Sequence, residues 1–294
     1  MTELKARAGE RDAGRKVKYF VRGDMRVSSG QFRALKAANG LRVNGEIARA
    51  DDLLRPGDLV SVSLFEPAPS KAVAPEPGEV SIPYEDGDVY IIDKPAPLPC
   101  QCSDRQPGGT LENRLYARFS SQQDFVFRPL NRLDKGTSGL LAAAKHAHAC
   151  QILQRQLHTP GFVREYLAVV EGELQGDGAI DLPISKADGP TIRRRVDRER
   201  GQRAVTHYRA EARGNNRTLV RLRLETGRTH QIRVHMAAIG HPVTGDFLYG
   251  TEFFDLPGRF ALHSTRIAFD HPLTGARIEV CSPLPEELRR LMEP

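Results

Sequence analysis

The sequence predicts an α+β protein of two unequal units. Three observations carry this. Apolar runs with strand character outnumber helical periods, and they do not alternate evenly with helices as βαβ units would. A Pro-rich stretch over 66–80, EPAPSKAVAPEPGEV, also divides a small basic segment from a larger one. With 39% hydrophobic and 27% charged residues, the 294-residue chain falls outside the disordered and collagen-like classes. No run approaches the roughly eighteen apolar residues of a membrane span, and the opening MTELKARAGERDAGRK lacks the apolar core of a secretory signal, so the chain is expected in the cytoplasm. Cys100, Cys102, Cys150 and Cys281 are too few for a disulfide framework, and their C-x-C spacing has no second pair to complete a zinc site. Neither GxGxxG nor GxxxxGK[ST] occurs, so no cofactor and no metal are expected.

Residues 1–16 are polar and without period, and are expected to form a loose tail. In the unit over 17–65, Ser28 can cap a helix with Gln31 reaching back, Phe32 and Leu35 form its apolar stripe, and Gly40 would stop it. Leu41 and Val43 lead to Asn44-Gly45, a tight hairpin turn, and Ile47 begins the return. Pro56-Gly57-Asp58 makes another turn before a strand of Leu59, Val60, Val62 and Leu64. Lys18, Arg22, Arg26, Arg33, Lys36, Arg42 and Arg49 avoid the apolar stripe and can face outward.

Within 81–294, strands are expected at 89–92, 140–144, 167–170 and 218–224, a helix capped by Thr110, another over 146–157, and helices laid on one face of the sheet. Asp134 sits between Arg132 and Lys135 in a Gly-rich loop that runs into the strand at 140–144, a place where one carboxylate can be held rigidly in a cleft. Far along the chain, LETGRTHQIRVHMAAIGHPVTGD turns at Gly227 into a helix from about Thr229, on which Ile232 and Ile239 can face the core while Arg233 projects elsewhere. Arg233 offers the planar fork that suits a carboxylate. His230, His235 and His241 lack an HExxH spacing, which favours hydrogen bonding over metal ligation, and Asp246 is expected to tie down its turn. The run TIRRRVDRERGQR holds six arginines and reads either as a solvated hairpin or as a phosphate-contacting arm.

VSSGQFRALKAANGLRVNG followed by LLRPGDLVSV resembles an S4-type RNA-binding domain. NRLDKGTSGLL, REYLAVVEG, AVTHYRA, LETGRTHQIRVHMAAIGHPVTGD and FALHSTRIAF, in that order, resemble the RluA family of RNA pseudouridine synthases across nearly all of 81–280.

The resemblance implies a mixed, mainly antiparallel sheet with flanking helices. It also implies isomerisation of uridine in RNA: the N1–C1' bond breaks, uracil turns, and C5 bonds to C1'. It assigns Asp134 to the catalytic aspartate, Tyr166 to the tyrosine that stacks on uracil and can take the C5 proton, and Arg233 to the partner of Asp134. It makes Arg132 the support for the position vacated by the flipped base, Leu262 an apolar wall, and Asn131, Arg228, His230 and Gln231 further substrate-side residues. Asn131 stands where the family commonly has His, and Arg164 where Lys is more usual. The implied partner is RNA, with ribosomal RNA of the large subunit ahead of transfer RNA. Lys18, Arg22, Arg26, Arg33, Lys36, Arg42, Arg193, Arg194 and Arg195 are the candidate backbone contacts, and the chain is expected to act as a monomer. Two other readings stay open: a non-catalytic RNA-binding or ribosome-assembly factor, and a nucleoside hydrolase, for which a second carboxylate is not evident.

Overall fold

The computed structural model describes residues 2–64, 72–122, 125–253 and 255–293. In the small unit, β1 (Thr2–Arg7), α1 (Val17–Gly23), α2 (Ser29–Ala37), β2 (Leu41–Val43), β3 (Glu46–Ile47) and β4 (Leu59–Leu64) build a four-stranded antiparallel sheet in the order β1-β4-β2-β3. The capping box at α2 forms, with Gln31 N donating to Ser28 Oγ at 3.2 Å and Ser28 N to Gln31 Oε1 at 3.3 Å. Asn44 and Gly45 both take positive φ, 50° and 90°, as a tight hairpin requires. The helix ends through left-handed Asn39 at φ 52°, one residue before the expected Gly40.

The loose tail expected over 1–16 is not what residues 2–16 form. β1 runs antiparallel to β4 with Leu4 opposite Val62, and Leu4 and Ala8 join the core of Val17, Phe20, Leu35 and Val60. The interdomain stretch is not simply loose either. Its residues 66–71 lie outside the described residues. In the remainder, which has no helix or strand, Ala74 O accepts from Asn113 Nδ2 at 2.8 Å and Glu76 takes Gly109 N at 2.8 Å. The segment therefore lies along the next helix.

The larger unit comprises β5 (Ser81–Glu85), β6 (Val89–Lys94), α3 (Leu111–Arg118), β7 (Arg128–Pro129), β8 (Ser138–Ala144), α4 (Ala147–Gln156), β9 (Val163–Glu171), β10 (Asp177–Asp181), β11 (Ile184–Lys186), β12 (Arg194–Val196), β13 (Val205–Gly214), β14 (Arg217–Leu224), α5 (Gln231–Ala238), β15 (Leu262–Asp270), β16 (Arg277–Cys281) and α6 (Glu286–Arg289). Its sheet runs β10-β13-β14-β9-β15-β8-β6-β5, with β16 on β15 and β7 on β8, and β8–β15 is its one parallel pairing among the described residues. β6 and β8 are apolar at consecutive positions because the sheet is covered on both sides. Tyr90, Ile92, Leu141 and Ala143 meet α3 and α5, while Val89, Ile91, Leu140 and Ala142 meet Ala149 and Leu153 of α4. The helices thus lie on both faces, not one.

Candidate active site

The middle of the sheet supplies the floor of the site. On β9, Arg164 and Tyr166 are two residues apart and so share a face. Leu262 at the start of β15 pairs with Ala168 and packs in the same cluster as Tyr166. The loop before β8 carries Asp134, with Thr137 N closing its turn onto Asp134 O at 3.1 Å. Gly139 lets this loop enter the sheet: at φ 100°, a Cβ there would lie 2.3 Å from Ser264 O.

A cleft of about 810 Å³ opens over this floor, lined by Asn131, Arg132, Asp134, Arg164, Tyr166 and Leu262, and by 226–233 at the start of α5. Arg233 is 2% exposed, yet its Nη1 reaches Asp134 Oδ2 at 3.0 Å across 99 residues of chain. Among the described residues none donates a hydrogen bond to Oδ1 of Asp134, which lies in the cleft lining. The other side of the guanidinium is gripped by Asp246, Nε to Oδ2 at 2.7 Å and Nη2 to Oδ1 at 2.8 Å, and its face lies 4.1 Å from the Phe260 ring centroid. Asp246 also accepts from Leu248 N and Tyr249 N, so it ties its turn as expected and fixes the arginine as well. The positive charge of Arg233 is therefore shared between two carboxylates, and their pull outweighs burial in raising its pKa.

His230, left-handed at φ 57°, caps α5. Its Nδ1 lies 2.8 Å from Tyr249 Oη, its Nε2 lies 3.9 Å from Asp134 Oδ2, and burial lowers its pKa. Tyr249 Oη in turn accepts from Arg194 N at 2.7 Å. The Tyr249 hydroxyl thus ties the hairpin strand to Nδ1 of His230, whose Nε2 faces Asp134.

Behind the Asp134 loop, Lys94 is fully buried and donates to the carbonyls of Leu98 at 2.8 Å, Pro95 at 3.0 Å and Lys135 at 3.4 Å, and burial brings its pKa down to about 8. It pins the segment before α3 to the residue that follows Asp134.

Not every sequence-derived candidate reaches the cleft with a group to spare. The Gln231 amide is fully used: Oε1 accepts from Arg228 N and Thr226 Oγ1, and Nε2 donates to Val205 O and Thr206 Oγ1. It is a brace for α5 rather than a substrate contact. Asn131 Oδ1 accepts from Ala142 N at 3.4 Å while its buried Nδ2 has no partner. Arg132 is exposed in the cleft, and Arg228 Nε donates to Arg203 O at 3.1 Å. His235 binds Thr206 Oγ1 and Leu182 O, and His241 binds Glu171 O.

Residues 88–238 match the family model for RNA pseudouridylate synthase. The chain belongs to the RluA-type RNA pseudouridine synthases. The synthase is 41% identical over 257 residues to the Bacillus subtilis (strain 168) protein named Uncharacterized RNA pseudouridine synthase YlyB, covering 85% of this chain and 84% of that protein. It is 39% identical over 275 residues to Ribosomal large subunit pseudouridine synthase D of Xanthomonas campestris pv. campestris, covering 88% and 81%. Among solved structures, Human RNA Pseudouridylate Synthase Domain Containing 1 matches with a TM-score of 0.58 at 29% identity, over 71% of the synthase and 86% of that chain. The family match contains Asp134, Tyr166 and Arg233, whereas Asp246 and Tyr249 lie beyond its end. Sequence reasoning missed Tyr249 and Lys94 as supports of the synthase site, because neither has a local pattern that points toward Asp134.

Proposed function

We propose that this synthase isomerises uridines of large-subunit ribosomal RNA, with Asp134 as the acting carboxylate, and that it works as a cytoplasmic monomer. The observation that carries the assignment of Asp134 is its asymmetric hold: Arg233 takes Oδ2 and leaves Oδ1 open beside Tyr166 in a cleft wide enough for a nucleotide. The oxygen that Arg233 leaves free can attack the sugar or base, or take the C2' proton. Burial raises the Tyr166 phenol above its usual range, so it meets the base protonated, which favours stacking over proton removal. Arg132 would fill the gap left by the flipped uridine, whose extraction costs a few kcal/mol. The ribosomal reading is supported by relatives named ribosomal large subunit pseudouridine synthase D.

The small unit would dock structured RNA. Arg22, Arg26, Arg33, Lys36 and Arg42 are exposed on it, while Lys18 is the weakest of these candidates because its Nζ is held by Asp51 at 2.8 Å. No helix among the described residues is long and apolar enough to cross a membrane.

The test is tritium release from C5-labelled uridine in transcribed large-subunit RNA, with pseudouridine mapping in cells with and without the gene. The purified protein should release tritium without changing the RNA sequence mass, and Asp134→Asn should release none while still binding RNA. Wild-type yield from Asp134→Asn would overturn the assignment. Activity confined to transfer RNA would move the substrate, and mass loss as free uracil would mean hydrolysis.

A further inference from the structure

Arg164 is 4% exposed, lines the cleft and has a buried Nε without a hydrogen-bond partner. Among the described residues no carboxylate pairs with it. The exposed Arg132 and Arg228 of the same cleft also carry no carboxylate among the described residues, but they face water, whereas the other buried arginines are matched. Glu165, on the opposite face of β9, takes Arg266 at 2.8 Å and Arg221 at 3.5 Å, Arg259 has Glu287, and Arg233 has two aspartates. Holding a buried guanidinium with no counter-charge is costly, and burial lowers its pKa accordingly. The fold nevertheless makes room for it. A Cβ on Gly227, in the turn between β14 and α5, would lie 2.9 Å from Arg164 Nη1, so the glycine is what admits the guanidinium to that wall of the cleft.

We propose that Arg164 is an anion seat, and that its occupant is a phosphodiester of the target nucleotide. This rests on the RNA-modifying reading of the cleft. Arg164 stands two residues from Tyr166 on one face of β9, about 7 Å along the strand, a separation on the scale of that between a base and its own phosphate. Phosphodiesters are the only anions that RNA brings, and a planar fork suits two phosphate oxygens. The cation is left unmatched in the free protein and becomes matched when the flipped nucleotide arrives. Binding of the correct substrate thus relieves a cost built into the empty site.

Two measurements test this, and the first needs no RNA. Wild type, Arg164→Lys and Arg164→Met are melted in chloride and in inorganic phosphate at equal ionic strength. Arg164→Met should melt at or above wild type in chloride, and phosphate should raise the melting temperature of wild type and Arg164→Lys more than that of Arg164→Met. An equal phosphate response in Arg164→Met, or a melting point far below wild type, marks the guanidinium as a structural brace and overturns the proposal. The second uses the RNA found by mapping. Arg164→Met should raise KM about tenfold with kcat within about threefold. A neutral methylphosphonate at one of the two phosphodiesters flanking the target should raise KM for wild type but not for Arg164→Met, and an equal effect on both proteins overturns the phosphodiester assignment. Should no RNA be turned over by any form, the functional reading fails by itself, and a phosphate response confined to the proteins with a basic residue at 164 still supports the anion seat.

Discussion

Asp246 holds Arg233 through two hydrogen bonds of 2.7 and 2.8 Å, more tightly than Asp134 does through one of 3.0 Å. Asp246 is fully buried, so the arginine is anchored on one side and presents its remaining nitrogen to the Asp134 loop. Removing the anchor leaves a buried cation with only the single bond to Asp134. Asp246→Ala should therefore destabilise the fold by about 3–5 kcal/mol and sharply lower turnover, since Arg233 can then swing toward Asp134 or away. Urea unfolding and tritium release read the two effects, and a variant with wild-type stability would show that the second carboxylate is dispensable.

Tyr249 connects the arginine-rich hairpin to the Asp134 carboxylate through His230. Tyr249→Phe keeps the ring over Arg233, at 5.1 Å from its centroid, and deletes only the hydroxyl that holds the imidazole through Nδ1. Loss of one such bond is worth about 1 kcal/mol, so kcat should fall on the order of tenfold or less. KM should hold, because Tyr249 does not line the cleft. A KM effect with unchanged kcat would mean that Tyr249 acts through RNA binding instead.

The site was legible through the resemblance carried by NRLD, REYL and QIR, because taken singly Asp134, Tyr166 and Arg233 are a turn carboxylate, a strand aromatic and a helix arginine. What stayed hidden depends on long-range packing. Residues 2–7 have only Leu4 and Ala6 to mark a strand, and β1 exists because β4 offers an edge with Val62 opposite Leu4. The helix at Val17–Gly23 does carry i, i+3, i+4 spacing in Val17, Phe20 and Val21, but one turn of pattern is too short to stand by itself. Gln231 has the same polarity as a substrate contact, and only the four partners around its amide show that it is a brace. The helices on both faces follow from the unbroken apolar runs of β6 and β8, a signal of two-sided burial in the sequence itself.

Several histidines make the fold sensitive to acid. Burial lowers the pKa of His148 to about 4, and lowers those of His235 and His263 as well. In the unfolded chain each titrates near ~6.5, so between the two values the unfolded state binds protons that the folded state refuses. Stability is full above about pH 7 and declines as pH falls from ~6.5 toward the lowered values. The urea midpoint should be lower at pH 5 than at pH 7.5, and His148→Gln should lessen that difference.

The arginine-rich hairpin of β11 and β12 should contribute unevenly to RNA binding. Arg195 is occupied by Asp188 at 2.6 Å and Asp197 at 3.5 Å, and Arg203 by Glu225 at 2.9 Å, so counterions already neutralise them. Arg193 is exposed, with its guanidinium 5.7 Å from the ring centroid of Tyr249, whose hydroxyl meets His230 of the cleft wall. Each lysine or arginine that displaces a counterion from a phosphate adds about one to the slope of log affinity against log salt. Arg193→Ala should flatten that slope by about one without changing the melting temperature, whereas Arg195→Ala should change it little because its charge is spent on the two aspartates. Filter binding across a salt series reads both variants, and equal slopes for Arg193→Ala and wild type would make the hairpin a solvated ornament of the sheet rather than an RNA-facing arm.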